Sequence, residues 1–305
     1  AGSSCPVDLQ ALLADARLAA FAALPALTRA LLLPDAMDSL LAAVAQGCSG
    51  SDGLTVLGAL PVFVAAGARL RAGLPPLAPA ASLQQSADFL RMLGLASGSP
   101  QARALDTYWI TISDHGLNAS TFAARVVAST GSDVVPCVLA ALGALKGPLH
   151  GGAPGPVLDM LDATTDCDPR AWLEAELAAG RRIMGMGHRI YRVRDPRAFV
   201  FERALSRLVL EDGQSARSAE RLEHARRVER AAAALLAERH PERPLCANVE
   251  FYTALLLEAL GIPRTLFSAV FAIGRCAGWL AHVAEQRHTG KLIRPAARYV
   301  GPMPP

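Results

Sequence analysis

Three short segments of the chain place a histidine beside glycine residues, at 114–118 (DHGLN), 148–152 (PLHGG) and 185–189 (GMGHR). Glycine lets the backbone approach a ligand closely and adopt unusual dihedral angles, so a histidine framed by it is well placed to meet a substrate. An imidazole in such a place can donate a hydrogen bond or transfer a proton near neutral pH. Each segment alone is equally typical of a capping or core histidine, so a catalytic interpretation needs further residues.

A metal site is the first alternative, because His115, His150 and His188 could in principle meet an acidic side chain in the fold. The chain has no HExxH motif, and its other candidate pair, His282 and His288, lies six residues apart rather than four. No GxSxG elbow and no Walker or Rossmann glycine pattern is present either, which argues against a Ser-His-Asp triad and a phosphate-loop nucleotide. The sequence therefore predicts no metal and no cofactor.

The size and composition of the chain bound its class. Its 305 residues exceed the size at which one hydrophobic core usually stops growing, so two lobes or an elaborate single domain are expected. The apolar share is 52% and the mean hydropathy is +0.28. Pro61 and Arg69 nevertheless interrupt the apolar region 53–80, and Arg275 interrupts the region 265–283. We therefore predict no membrane span.

The charge and the cysteines indicate a cytoplasmic protein without a nucleic-acid partner. The net charge is only +3, and nothing in the chain resembles a nucleic-acid footprint. No secretory leader is recognisable, and the cysteines form no CxxC pair and no metal spacing, so reduced thiols are expected. The six cysteines are Cys5, Cys48, Cys137, Cys167, Cys246 and Cys276.

Helices must position the histidine segments, because strand signals are sparse and apolar residues recur at intervals of three and four throughout. We predict a mainly α fold, with helices that include 220–240, 245–260 and 264–285. A proline-rich connector occupies 73–83. Glycine and proline are too dense for a helix interior at 147–156, so that segment is predicted to be a histidine-bearing loop.

Six motifs, in the same order, resemble those of the citrate synthase family and extend over about three-fifths of the chain. They are 114–122 (DHGLNASTF), 147–153 (GPLHGGA), 187–191 (GHRIY) with 195–197 (DPR), 248–252 (NVEFY), 271–279 (FAIGRCAGW) and 294–295 (RP). The C-terminal part is most similar to an actinobacterial-type branch of that family. The resemblance implies an all-α fold with a large domain of residues 1–152 and 266–305 and a small domain of 153–265 that closes over the active site.

The resemblance also implies roles for three side chains. Glu250 is the base that removes a proton from the acyl methyl group, and His150 donates a hydrogen bond to the thioester oxygen. His188 hydrogen-bonds the ketone of the 2-oxo acid and stabilises the alkoxide as carbon attacks. Such chemistry needs a carboxylate against a very weak carbon acid and a donor at the oxygen that gains charge.

Substrate contacts follow from the same resemblance. The family places arginines that hold a dicarboxylate at the positions matching Arg197, Arg275 and Arg294, and a substrate-contacting histidine at His115. Because relatives extend the last of these arginines into a neighbouring active site, an obligate homodimer is implied. The positions that match coenzyme A contacts of the family are Gly185, Met186, Gly187 and Arg192.

The function implied is that of a citrate synthase-type transferase, which condenses acetyl-CoA with oxaloacetate to give citrate and coenzyme A. The coenzyme A thioester is then a substrate and not a cofactor. Two alternatives remain open. Propionyl-CoA in place of acetyl-CoA would give 2-methylcitrate, and the two acyl groups differ only in the pocket volume they need. A non-catalytic paralogue that binds coenzyme A or citrate is the other.

Two features of the chain depart from the family pattern. The usual base is aspartate, whereas Glu250 has nearly the same intrinsic pKa and a reach longer by about 1.5 Å, which puts the geometry of the base in question. The Tyr-Arg-Gly motif that typical relatives carry near the start is absent from residues 1–80. The expected partners of His188, Asp195 and Arg197, are both present.

Overall fold

Every regular element in the described part of the chain is helical, which confirms the all-α prediction. The computed structural model describes residues 8–150, 154–187, 193–211, 216–242 and 245–302. In chain order their helices are α1 (Leu9–Leu31), α2 (Ala36–Gly47), α3 (Gly53–Arg71), α4 (Gln85–Leu93), α5 (Ser99–Ile112), α6 (Ala119–Ala128), α7 (Val134–Lys146), α8 (Pro154–Ala163), α9 (Pro169–Ala178), α10 (Pro196–Glu211), α11 (Ala216–Arg239), α12 (Val249–Ala259), a 3₁₀ turn (Arg264–Leu266) and α13 (Phe267–Thr289).

The ends of these helices differ from the sequence-based boundaries for local reasons. The helix predicted at 245–260 begins later, at Val249, because Asn248 caps it by accepting a hydrogen bond from the backbone N of Glu250 at 3.0 Å. The prediction that 147–156 lacks a helix is wrong at its end, since Pro154 begins α8. Proline is favoured in the first turn of a helix, where its missing N–H would have no partner.

Helix α3 lies at the centre of the first half of the fold. Its residues from Val56 to Gly67 are largely buried, and it packs against α1, α2, α4 and α13. A Cβ atom at Gly58 would lie 2.5 Å from the Cβ of Ala16, so glycine is what lets α1 cross α3 this closely. The result is a layered helical core against which the later helices pack.

Helix α13 carries the predicted substrate residue Arg275 and passes close to the loop that carries His115. A Cβ atom at Gly278 would lie 2.0 Å from the carbonyl oxygen of Ser113, a distance no side chain tolerates. Trp279 on the same helix is fully buried and reaches α6 through a hydrogen bond to Ser120. The glycine therefore brings two of the motif segments, 114–122 and 271–279, into direct contact.

Within the described ranges, three helical segments are long and apolar enough to cross a membrane by length and composition alone: α1, α3 and the run Arg264–Thr289. In α3 and in that last run, 61% and 67% of the apolar stretch is buried inside the fold, against 33% in α1. Burial against other helices accounts for the apolar character of the last two as core helices. Helix α1 keeps Leu9, Leu12 and Leu18 exposed. The absence of a membrane span stays a prediction.

Helices α8 to α12 pack mainly on one another, and α10 carries the principal contact of this group with the first half of the chain, against α5. Tyr108 of α5 and Phe201 of α10 meet there, with ring centroids 5.3 Å apart. Charged residues join the group internally, as where Arg194 pairs with Glu202 and Glu229. Helix α12, which carries Glu250, packs against α10, which carries Arg197.

Candidate active site

A cavity of about 930 Å³ collects residues from several of the motif segments. His150 and Glu250 both line it, as do three of the four residues predicted to contact coenzyme A. Two arginines and a histidine without a predicted role line it as well. The polar and glycine residues of the wall are His150, Arg181, Arg182, Gly185, Gly187, His240, Asn248 and Glu250, together with Met186. A second cavity, of about 1160 Å³, lies between α8, α11 and α12 and contains none of the predicted site residues.

The wall beside Glu250 is built by pairing residues 185–187 with residues 246–248. The backbone N of Gly187 donates to the carbonyl of Cys246 at 2.7 Å, and the backbone N of Asn248 donates to Gly185 at 2.8 Å. The Asn248 side chain adds a third hydrogen bond, from Nδ2 to the carbonyl of Gly187 at 2.9 Å. Because Asn248 also caps α12, the same residue fixes Glu250 and the glycine segment relative to each other.

Both glycines of the Gly185-Met186-Gly187 segment are required by its geometry. Their φ angles are 72° and 83°, in the left-handed region that favours glycine. A Cβ atom at Gly185 would lie 3.0 Å from atoms of Phe251 and Val157, and one at Gly187 would lie 2.9 Å from Leu245. The backbone of this segment can therefore face the cavity at a closeness that a side chain would prevent.

Glu250 has the electrostatics expected of a base that works near neutral pH. Burial raises its pKa to about 7, the nearby Arg197 opposes this shift, and Asp195 adds to it. Among the described residues, none donates a hydrogen bond to the Glu250 carboxyl group, whose backbone N is held by the Asn248 cap. A half-buried carboxyl group on a cavity wall with its pKa near 7 is suited to proton abstraction.

His150 is held from behind by the hydroxyl of Ser120, whose Oγ lies 2.8 Å from Nε2 of the imidazole. That oxygen also accepts a hydrogen bond from Trp279 Nε1 at 3.1 Å and lies 2.8 Å from Oδ1 of Asn118. Ser120 has one proton, which it can donate to His150 or to Asn118. When His150 receives it, the ring proton of the imidazole sits on Nδ1 and is available as a donor.

The imidazole of His150 is neutral at physiological pH. Burial lowers its pKa, and the positive charge of Arg275 lowers it further. A neutral imidazole donates a hydrogen bond without carrying a charge into the cavity. It also leaves Arg275 as a nearby fixed cation.

Removing the Ser120 hydroxyl tests whether the orientation of His150 matters. We expect Ser120→Ala to lower kcat by about tenfold, the equivalent of one hydrogen bond of about 1.4 kcal/mol, with a smaller change in KM. The matched control is Ser206→Ala on α10, because Ser206 does not line the cavity and its hydroxyl bonds the carbonyl of Glu202 on α10 and Arg226 on α11. Steady-state kinetics of the two variants give the comparison, and equal turnover in both would contradict the role of Ser120.

Arg275 is a buried cation with donors to spare. It is 2% exposed, its Nε donates to the carbonyl of Ile112, and its guanidinium lies 4.7 Å from the ring centroid of Phe271. Burial lowers its pKa to about 10, so it remains charged at neutral pH; Arg197 contributes to the lowering and Asp114 opposes it. Among the described residues, no acceptor bonds its two terminal nitrogens. Such a group is suited to bind a carboxylate.

Arg197 reaches the same region from α10. Its Nε and Nη2 bond the two oxygens of Asp195 at 3.1 and 2.8 Å, and the carboxylate also accepts from the backbone N of Arg197 at 3.0 Å. The backbone N of Asp195 donates to Ala247 at 3.1 Å, next to the Asn248 cap. The charge of Arg197 bears on the pKa values of both Glu250 and Arg275. The structure thus brings His150, Glu250, Arg197 and Arg275 into one electrostatic cluster.

The remaining predicted residues lie in other places or outside the description. His115 is half-buried on the loop between α5 and α6, next to Asp114. Arg294 is exposed in the extended segment that follows α13, and it does not line the cavity. His188 and Arg192 fall outside the described residues.

Sequence reasoning gave no role to several residues that build this site. Ser120 and Asn248 were seen only as members of motifs, although they hold His150 and Glu250. Arg181 and Arg182 were not singled out at all, yet a double arginine directly before a glycine-rich segment was a signal that could have found them. No three His, Cys, Asp or Glu side chains of the described residues lie together as a metal site would require.

Comparison with known proteins agrees with this geometry. The family model described as "Citrate synthase, C-terminal domain" matches residues 3–296. The "Putative citrate synthase 2" of Mycobacterium tuberculosis is 47% identical over 211 residues, which are 68% of this chain and 54% of that protein. The 2-methylcitrate synthase of the same organism is 38% identical over 251 residues, which are 81% of this chain and 61% of that protein.

A solved structure matches nearly the whole chain. It is the ternary complex of carboxymethyl coenzyme A and oxaloacetate with the citrate synthase of Thermoplasma acidophilum, with a TM-score of 0.83 and 27% identity, covering 96% of this chain and 81% of that one. The chain spans between about half and three-fifths of the length of the two curated relatives above. The match of the family model over almost all of the chain is decisive, and the chain belongs to the citrate synthase family.

Proposed function

We propose that this protein condenses acetyl-CoA with oxaloacetate to give citrate and coenzyme A. The observation that carries the proposal is the meeting, on one cavity, of Glu250 with a pKa of about 7 and a neutral His150, with the buried cation Arg275 close by. A base, a neutral donor and a cation with unused hydrogen-bond donors are the groups that this reaction needs.

Each group has a defined step in the proposed reaction. Glu250 takes a proton from the acetyl methyl group while His150 donates a hydrogen bond to the thioester oxygen, which becomes the enol or enolate oxygen. The methyl carbon then forms a bond to the ketone carbon of oxaloacetate, and the ketone oxygen takes up a proton as an alcohol. We assign that oxygen to His188 on the GHRIY motif alone. Water finally cleaves the thioester of the condensed product and releases coenzyme A.

The two arginines support the choice of a dicarboxylate. Arg275 has unused donors among the described residues, and Arg197 lies close enough to bear on its charge state. We assign the carboxylates of oxaloacetate to these two side chains, to His115 and to Arg294 of a second copy of the chain. The position of Arg294, exposed in an extended segment outside its own cavity, supports a homodimer in which each copy completes the other site.

The acyl-CoA binds along the wall beside Glu250 in this proposal. The Gly185-Met186-Gly187 backbone lines that wall, and Arg181, Arg182 and His240 offer donors for phosphate. Arg192 is assigned to the same ligand by its motif. We further propose that residues 153–265 move as a small domain against the remainder, so that Glu250 meets His150 in the working geometry only around bound oxaloacetate. A cytoplasmic location is proposed because the cysteines are scattered and the five that the structure describes are free thiols.

The pH dependence of the reaction follows from the pKa of Glu250. The base must be ionised to accept a proton, so activity is present above its pKa and is lost as pH falls through it. We expect kcat/KM for acetyl-CoA to fall on the acid side with an apparent pKa of about 7, rather than near the ordinary 4.5 of a glutamate. A rate profile between pH 5 and 9 measures this limb, and a flat profile down to pH 5 would contradict the assignment.

Propionyl-CoA is the second candidate substrate, because a 2-methylcitrate synthase is among the relatives at 38% identity. One methylene in an apolar pocket changes the preference by about 1 to 3 kcal/mol, so either acyl group fits the same mechanism. Equal concentrations of the two thioesters with limiting oxaloacetate give a direct competition. Excess citrate supports acetyl-CoA as the substrate, and excess 2-methylcitrate supports the alternative.

A further inference from the structure

The hydroxyl of Tyr108 is an anomaly in the core of the protein. Tyr108 lies on α5 with no exposed surface, and its hydroxyl has no hydrogen-bond partner among the described residues. Leaving a buried hydroxyl unbonded is unfavourable, and such groups are rare in folded proteins. A phenylalanine would fill the same space without that disadvantage, so the hydroxyl calls for an explanation beyond packing.

Tyr108 is linked through its neighbours to both arginines of the candidate site. On α5 it lies one turn before Ile112, whose carbonyl accepts a hydrogen bond from Arg275. Its ring packs on Phe201 at 5.3 Å, and Phe201 lies one turn after Arg197 on α10. Tyr108 therefore lies in the contact between α5 and α10.

Glu250 has the complementary deficiency. Its carboxyl group accepts no hydrogen bond from the described residues, and Tyr108 donates none. The two groups lie close enough for the charge of Glu250 to raise the pKa of the Tyr108 hydroxyl, which burial already raises and which Arg275 lowers. Among the described residues, an unbonded hydroxyl and a carboxyl group without a donor are thus carried by two helices that contact each other, α5 and α12.

We propose that Tyr108 is a positioning residue for Glu250, whose carboxylate accepts a hydrogen bond from the Tyr108 hydroxyl once oxaloacetate and the acyl-CoA occupy the cavity. The inference rests on the proposed function. In the ligand-free protein the bond is unmade, which leaves Glu250 near a pKa of 7. In the complex the bond stabilises the ionised form of the base and lowers its pKa, so the base stays charged and aimed at the acyl methyl group.

The other charged groups around this pair are few. From α10 and the residues before it, Arg197 and Asp195 bear on Glu250, and from α13 Arg275 bears on Tyr108. The carboxylates on the other packed helices are engaged elsewhere: Asp88 of α4 pairs with Arg17 and Arg91, and Asp162 of α8 pairs with Arg221 and Arg264. Burial and Arg275 lower the pKa of His150, which faces the same cavity, below its ordinary 6.5. Glu250, whose pKa is raised to about 7, is therefore the group expected to titrate in the upper part of the acid limb.

The test is the pH dependence of Tyr108→Phe, which removes the hydroxyl and keeps the ring. The acid limb of kcat/KM reports the free protein, where the bond is absent, and that of kcat reports the complex, where it is present. We expect kcat/KM to keep its limb near 7, whereas the kcat limb of the variant rises by about one pH unit toward it. Turnover then falls roughly fivefold at pH 6 and less than twofold at pH 8.5.

Thermal unfolding of the ligand-free protein supplies the folding control. Because the Tyr108 hydroxyl is unbonded there, Tyr108→Phe should leave the melting temperature unchanged or raise it. Tyr252→Phe is the matched comparison, since the Tyr252 hydroxyl donates to Glu229 and its removal should lower the melting temperature. With oxaloacetate and carboxymethyl coenzyme A bound, the sign for Tyr108→Phe reverses, and the variant melts below the wild type.

Three results would overturn the inference. A kcat limb identical to that of the wild type excludes the hydrogen bond in the complex. If the acid limbs of kcat and of kcat/KM shift together in Tyr108→Phe, the hydroxyl acts in the ligand-free protein instead. A ternary complex of Tyr108→Phe that melts no lower than that of the wild type does the same. A wild-type protein that releases no coenzyme A fails the proposed function itself, whatever the variant does, and removes the reaction that the positioning role serves.

Discussion

Replacing Glu250 by glutamine is expected to lower kcat at least a hundredfold, within the range of about 10² to 10⁴ that general base catalysis contributes. The amide has the shape of the carboxyl group but cannot accept the proton of the acetyl methyl group. Glu250 is half-buried at the cavity wall, and its side chain makes no hydrogen bond with the described residues, so the substitution breaks no described contact. Oxaloacetate binding, measured by calorimetry, should be retained.

The matched control is Glu258→Gln on the same helix. Glu258 pairs with Arg221 and Arg264 and does not line the cavity of Glu250. It should keep wild-type turnover, since such partly exposed ion pairs contribute little. Glu250→Gln with turnover close to that of Glu258→Gln would remove Glu250 from its role as the base.

Replacing Arg275 by glutamine is expected to raise the KM for oxaloacetate about a hundredfold or more, because truncating one partner of a buried charge pair costs about 2 to 5 kcal/mol. Arg275 is 2% exposed, charged at neutral pH, and has terminal donors unused by the described residues. Arg275→Lys keeps the charge but loses the fork, so a smaller rise is expected. The KM for acetyl-CoA should change much less, because we place that ligand against residues 185–187 rather than against Arg275.

Arg264→Gln provides the comparison for that loss. Arg264 is an arginine outside the cavity of Glu250, and it bonds Asp159 and Asp162 of α8. Its removal should leave both KM values unchanged. If Arg275→Gln binds oxaloacetate as tightly as Arg264→Gln, the carboxylate is held elsewhere.

The fold class could be predicted from the sequence because the apolar periodicity of helices is a local pattern, and the roles of the site residues stay predictions from short motifs. Apolar residues at intervals of three and four predict helices, and α11 and α13 lie close to their predicted positions. The start of α12 was missed because it depends on Asn248, which is bonded to a glycine 61 residues away. The density of glycine and proline predicts a loop through residue 156, but Pro154 lies in the first turn of α8, where proline is favoured.

The chemical state of the site could not be predicted from the sequence. The pKa of Glu250 depends on its burial by the fold and on Arg197 and Asp195, which precede it by more than fifty positions. The support of His150 by Ser120 likewise joins residues 30 positions apart. The side chain of Glu250 is longer than that of the aspartate usual in the family. A backbone adjustment to that length would have to occur where residues 185–187 pair with residues 246–248, because this pairing holds the start of α12.

Coenzyme A release by the purified wild-type protein tests most directly whether the protein condenses an acyl-CoA with oxaloacetate. Thiol release from acetyl-CoA is followed with and without oxaloacetate, and the product is identified by mass spectrometry. We expect the release of coenzyme A to depend strictly on oxaloacetate, with one citrate formed for each thiol. Release that is independent of oxaloacetate, or no release with either acetyl-CoA or propionyl-CoA, would contradict it.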